Sequence, residues 1–132
     1  MGSSGAHVVI AVNTGPSLND ILPDEVAYVL TEASKVDPVL ADAIAAGRVT
    51  VVPTGNTAPL IDLREVSGEL AAASAGADLL ILEGMGRSVE SNLSARFKVD
   101  SARMALVKDQ GVANRLGGKL FDICCKFSPA RR

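Results

Sequence analysis

The chain alternates short β-branched runs with Ala-rich stretches of helical period, and Gly, Pro, Asn or Asp marks each change of type. His7 to Val12 reads as a strand running into the turn-rich segment Asn13 to Asp20. Pro23 and Asp24 open a helix to about Ser34, with Val26, Val29 and Leu30 on one face. A second helix follows at once: Asp37 is an N-cap residue, Pro38 takes the first helical position, Leu40 and Ile44 form the apolar face, and Gly47 ends it. Val49 to Val52 is the next strand, before the loop Pro53 to Pro59. Arg64 to Ala75 predicts an Ala-rich helix closed by Gly76.

Asp78 to Leu82 is a continuous apolar run, the pattern of a strand covered on both faces in the sheet interior, and it ends in Glu83-Gly84-Met85-Gly86-Arg87. Ser88 to Lys98 is polar and reads as irregular or briefly helical. Met104 to Val107 is a further strand core, Val112 to Leu116 a short helix, and Gly117-Gly118 turns into a last strand, Lys119 to Lys126. Residues 128–132 read as a frayed tail. The layout is α/β, with helices covering a mostly parallel sheet of about five strands. No internal repeat or low-complexity linker interrupts it, and 132 residues suit a single domain.

Composition narrows the classes. Thirteen Lys and Arg against 15 Asp and Glu leave a formal charge of −2, too little to recruit nucleic acid or an anionic membrane. Only 3% of residues are aromatic and none is Trp, so base-stacking platforms are excluded and the core falls to Val, Leu, Ile and Ala. No stretch approaches the ~20 apolar residues of a membrane span. The run His7 to Val12 is too short for a signal peptide, and Ala6 stands where a myristoylation motif at Gly2 asks for Ser or Thr. Adjacent Cys124 and Cys125 cannot pair without strain and read as buried thiols of a reducing, cytoplasmic compartment.

Candidate chemistry gathers at three strand ends: Asn13 to Asp20, Thr54 to Thr57, and Glu83 to Arg87. Glycine-freed amides make concave anion cradles, and Arg87 adds a bidentate donor, so the third cluster suits a phosphate. Asp20 beside Asn13 and Asn19 offers hard oxygen ligands for Mg²⁺ or Mn²⁺; the alternative is that Asn19 or Asp20 merely caps the following helix. Lys98, Arg103 and Lys108 lie on or around the fourth strand, where a cation can neutralise a phosphoryl oxygen or simply furnish a solvated edge. A P-loop, a full dinucleotide fingerprint and a Gly-x-Ser-x-Gly elbow are all missing.

Asn13-Thr14-Gly15-Pro16-Ser17-Leu18-Asn19-Asp20, the run Asp78 to Arg87, Asn92-Leu93, and Arg115-Leu116-Gly117-Gly118-Lys119-Leu120-Phe121 resemble the metal-dependent damage-control phosphatases. The likeness is to the subfamily with the Glu-Gly-Met-Gly-Arg motif, found as the C-terminal domain of pantothenate kinase 4 and as standalone plant proteins. It extends from about His7 to Phe127. The resemblance implies a three-layer, Rossmann-like α/β fold, a divalent metal (Mn²⁺, Co²⁺, Ni²⁺ or Mg²⁺) and phosphomonoester hydrolysis. The implied substrate is a small phosphorylated metabolite, 4'-phosphopantetheine or its oxidised derivatives, in coenzyme A metabolism. Carried over by position, Asp20 corresponds to a carboxylate metal ligand with a catalytic role. Glu83, Gly84, Met85, Gly86 and Arg87 correspond to the substrate and phosphate loop, to which Asn13 and Asn19 are added as substrate contacts.

The chain departs from the family's pattern in two places. The family takes further metal ligands from an Asp-Asn pair on a preceding strand, which would lie before Met1, so the chain resembles the C-terminal half of the catalytic unit. The family usually has Lys where Arg103 stands, a candidate catalytic cation here; Arg keeps the charge but cannot give up a proton and presents a different geometry. The expectation is therefore a phosphatase of low activity as an isolated chain, with exposed apolar surface that invites an upstream segment or self-association. The rival expectation is a non-catalytic phosphate- or nucleotide-binding α/β module.

Overall fold

A computed structural model describes residues 5–131; the expectations placed on Met1 and Gly2 lie outside them. Five strands and four α-helices follow in the order β1 (Val8–Val12), α1 (Pro23–Ser34), α2 (Pro38–Ala45), β2 (Val49–Pro53), α3 (Gly68–Ala73), β3 (Leu79–Glu83), β4 (Asp100–Leu106), α4 (Gln110–Leu116) and β5 (Ile123–Ser128), with a π-helix, Met85–Glu90, after β3. The fold class is α/β, as the alternation predicts. The described residues form two compact units: one runs up to Ala58 and includes Leu63–Ala75, the other comprises Pro59–Asp62 and the chain from Gly76 onward. Among the described residues no helix is long and apolar enough to cross a membrane.

In the first unit β1 and β2 pair in parallel, Val8 opposite Val49 through Val12 opposite Pro53. β-branched residues fill both strands because their stiff side chains suit a pleated surface. α1, α2 and α3 all pack on β2 or its flanks, and Val12, Val26, Val52 and Leu70 are buried. The Asp37 carboxylate accepts from the amides of Val39 and Leu40 and so caps α2, a contact of about 1 kcal/mol. The Ala-rich helix starts later than its composition suggests. Ser67 Oγ accepts from Leu70 N–H while donating to the Pro53 carbonyl, so the cap, not the helix propensity of Arg64 to Val66, sets the start.

In the second unit the sheet order is β3-β4-β5, with β3 parallel and β5 antiparallel to β4. The five strands thus form two ladders in place of one mostly parallel sheet, because period alone does not say which strand bonds to which. Alternation along β4 puts Ser101, Arg103, Ala105 and, just past its end, Val107 on one buried face. Ala105 and Val107 cluster there with Val89, Val112 and Ala113, and Met85, Leu93, Leu116 and Cys124 pack against them. α4 is capped by Asp109 and closed by left-handed Gly117.

The opposite face of this sheet is bare. Leu79 is 50% exposed, Ile81 56% and Ile123 81%, and Met104, Leu106, Cys125 and Phe127 are exposed beside them. This corrects two expectations. β3 is an edge strand covered on one face only, since an unbroken apolar run reports what a strand could bury, not what is there to cover it. Cys124 is half-buried but Cys125 is exposed, because neighbours on a strand point to opposite faces. β5 begins later than expected, after a turn in which Phe121 takes φ 68°. Ser128 ends β5, and beyond it Ala130 N–H bonds Asp100 and Arg131 N–H bonds the Phe97 carbonyl.

Candidate functional site

Parallel pairing of β1 with β2 sets the chain segments that leave their carboxyl ends side by side. Thr14 N–H donates to the Asn56 carbonyl at 2.9 Å, and Gly55 N–H donates to Thr14 Oγ1 at 2.7 Å. Gly55 has φ +80°, and a Cβ there would lie 2.9 Å from the Ser67 amide nitrogen, so only glycine allows the two loops to close. Within this frame Asn13 is 1% exposed, and its Nδ2 donates to Asp20 Oδ2 at 3.1 Å and to the Ala58 carbonyl at 3.2 Å. Two acceptors fix which end of the amide is nitrogen. Asn13 Oδ1 is left buried with no hydrogen-bond partner among the described residues.

Asp20 is half-buried at the end of a turn closed by its own N–H to the Ser17 carbonyl. Asn19 is exposed and lines a shallow groove with Ile21 and Tyr28. Neither caps α1: the N-cap is Leu22, whose N–H donates to Glu25. The capping alternative is thereby set aside. An orphaned amide oxygen and a carboxylate held one hydrogen bond apart fit a hard divalent cation as two of its oxygen ligands. Among the described residues no group of three or more His, Cys, Asp or Glu that could hold a metal ion is assembled, so these two would furnish only part of a shell.

The second cluster lies in the other unit. Glu83 ends β3, exposed, and Gly84 N–H donates to the Met104 carbonyl at 3.0 Å. Gly84 takes φ 100°, ψ 143°, a conformation essentially restricted to glycine, and turns the chain into the π-helix. A Cβ on Gly86 would meet the Pro59 carbonyl oxygen at 2.7 Å, so this glycine is required by close approach. Met85 packs into the core and its sulfur accepts from Lys108 N–H. Ser88, 0% exposed, donates to the carbonyls of Gly84 and Met104 and locks the turn to β4. Single-turn π-helices are uncommon and concentrate at functional sites.

Arg103 is fully buried, which sets aside the solvated-edge alternative. Its Nε donates to the Asn92 carbonyl at 3.1 Å, Nη1 to Ser101 Oγ at 2.8 Å, and Nη2 to the Ala95 carbonyl, with the Phe97 ring 5.2 Å from its central carbon. Asn92 in turn donates from Nδ2 to the Arg87 carbonyl at 2.8 Å and the Ile61 carbonyl at 3.1 Å. Ser88 and the side chain of Asn92 carried no functional expectation. Both lie in a polar segment without periodicity, and only the strand alternation that buries Arg103 hints at what it must bond.

Both clusters belong to one known kind of domain. The chain is a member of the damage-control phosphatase ARMT1-like domain family, whose model matches residues 2–123. It is 44% identical over 94% of its length to the damage-control phosphatase At2g17340 of Arabidopsis thaliana, and 41% identical over 96% to pantothenate kinase 2 of Oryza sativa subsp. japonica. A mouse 4'-phosphopantetheine phosphatase is 27% identical over 93% of the chain. The chain spans 34%, 16% and 21% of those proteins respectively. The crystal structure of a DUF89 family protein from Pyrococcus horikoshii shares the fold, with a TM-score of 0.65 at 23% identity, over 96% of this chain and 38% of that one.

Proposed function

We propose that this chain carries the phosphate loop and part of the metal site of a divalent-metal-dependent phosphatase, acting on small phosphomonoesters such as 4'-phosphopantetheine or its oxidised derivatives. The observation that carries the reading is the buried, unpartnered Asn13 Oδ1 beside the Asp20 carboxylate. An unmet buried acceptor costs about 1–3 kcal/mol, a cost a bound cation removes. Asn13 and Asp20 would hold the ion, which when bound supplies Lewis-acid polarisation of a phosphoryl oxygen. Within the second unit, Arg87 and the backbone amides of Gly84 to Arg87 offer donors for a phosphate and for negative charge that develops on its oxygens. Asn19, exposed beside Asp20, contacts the non-reacting part of the substrate. Mn²⁺, Co²⁺, Ni²⁺ and Mg²⁺ all accept such ligands, and the remainder of the shell comes from water, substrate and a segment upstream of the kind the resemblance implies. The free thiols of Cys124 and Cys125 accord with a cytoplasmic setting. The bare sheet face of the second unit is where self-association would occur.

Hydrolysis of p-nitrophenyl phosphate and 4'-phosphopantetheine, with and without Mn²⁺, tests the reading alongside Mn²⁺ and phosphate titrations. Binding of both with little turnover by the isolated chain is the expected result. Phosphate binding that ignores Mn²⁺ and Asp20→Asn would favour the rival, a non-catalytic phosphate-binding module, to which the partial metal shell lends weight.

A further inference from the structure

The Lys98, Arg103 and Lys108 group pointed to a cation for the phosphoryl oxygen, yet Arg103 spends all three guanidinium nitrogens inside its own unit. What those bonds hold is specific. The Asn92 carbonyl accepts from Arg103 Nε and from Ala95 N–H, so both its lone pairs are used and the turn from Asn92 to Ala95 is fixed at both ends. With its backbone so fixed, Asn92 points Nδ2 at the carbonyls of Arg87 and Ile61. Arg87 closes the Glu83 to Arg87 loop, and Pro59–Asp62, which contains Ile61, also supplies the carbonyl under Gly86.

We infer that Arg103 is a positioning residue for phosphate binding, acting through Asn92 on the Arg87 end of the loop and never touching the phosphate itself. The inference rests on the phosphate-loop reading above. Three oxygens in different directions around one plane match a guanidinium fork and not an ammonium, which explains why this chain's Arg differs in role from a mobile, proton-donating Lys. A cation with no exposure is retained against its desolvation cost only where its hydrogen bonds are all met, so the network behaves as a unit: loosening one end releases the other.

The test is a titration of the full chain with inorganic phosphate, performed well below each variant's melting temperature so that every sample is folded. Arg103→Lys and Asn92→Ser should each weaken phosphate binding by about tenfold, and the double variant by no more than the worse single one, because the two act in series. Millimolar guanidinium ion should restore binding to Arg103→Ala but not to Asn92→Ser, a rescue that a general loss of stability does not predict. Additive losses, unchanged affinity in Arg103→Lys, or failure of rescue would overturn the relay. Arg87→Ala separates the two levels. If it leaves phosphate binding intact, the loop reading falls and takes the relay with it; if it weakens binding while Arg103→Lys does not, the relay alone is wrong.

Discussion

Asn13 presents its amide nitrogen to Asp20 Oδ2 at 3.1 Å and keeps its own oxygen buried and unpartnered, so one side chain both orients the carboxylate and offers a second ligand beside it. The two residues are seven apart in sequence, and the turn from Ser17 to Asp20 brings them together.

Asp20→Asn should therefore weaken Mn²⁺ binding at least about tenfold, or ~1.4 kcal/mol, as read from the free-Mn²⁺ signal in electron paramagnetic resonance. The substituted side chain still has an oxygen to accept from Asn13, so that hydrogen bond is kept. Equal Mn²⁺ affinity in the two proteins would remove Asp20 from the metal site.

Arg87→Ala should weaken phosphate binding ten- to hundredfold, the loss of one charge-assisted contact of roughly 1.5–3 kcal/mol. Isothermal titration measures the affinity and circular dichroism the melting curve. A collapse of stability with affinity intact would make Arg87 a structural residue.

Gly86→Ala should destabilise the second unit by about 1–3 kcal/mol, because the added methyl runs into the Pro59 carbonyl oxygen, a backbone atom that cannot swing aside. Urea denaturation followed by circular dichroism gives the number. A neutral outcome would mean that the Pro59–Asp62 segment is not held against the loop.

Ile123→Lys should leave stability within about 0.5 kcal/mol, since the side chain is already 81% exposed, and should reduce concentration-dependent association. Light scattering coupled to size exclusion reports the second effect. A wild-type chain that stays monomeric at high concentration would show that the bare face does not drive association.

Features set by neighbouring residues were legible in the sequence. Asp37 and Asp109 cap the helices that follow them, though only Asp37 was expected to, and Gly47 and Gly117 take the positive φ that ends a helix. Features that depend on a distant partner were not. The apolar pattern of β3 is the same whether one face is covered or two, and nothing local says that β5 runs antiparallel to β4. Arg103 was legible as a cation on a strand, but its burial follows from alternation with Ser101, Ala105 and Val107, and its role from a turn eight to eleven residues upstream.

The chain's path through its two units also dictates where it can be cut. Pro59–Asp62 is counted with the second unit although the chain then returns to the first for Leu63–Ala75. A nick or gene split between Ala75 and Gly76, the obvious place to separate the halves, would strip the second half of the carbonyls of Pro59 and Ile61 that meet Gly86 and Asn92. Neither half made by a break there would carry a complete loop support, whereas a break between Ala58 and Pro59 would keep Pro59, Ile61, Gly86 and Asn92 on one piece and take Leu63–Ala75 from the first unit instead.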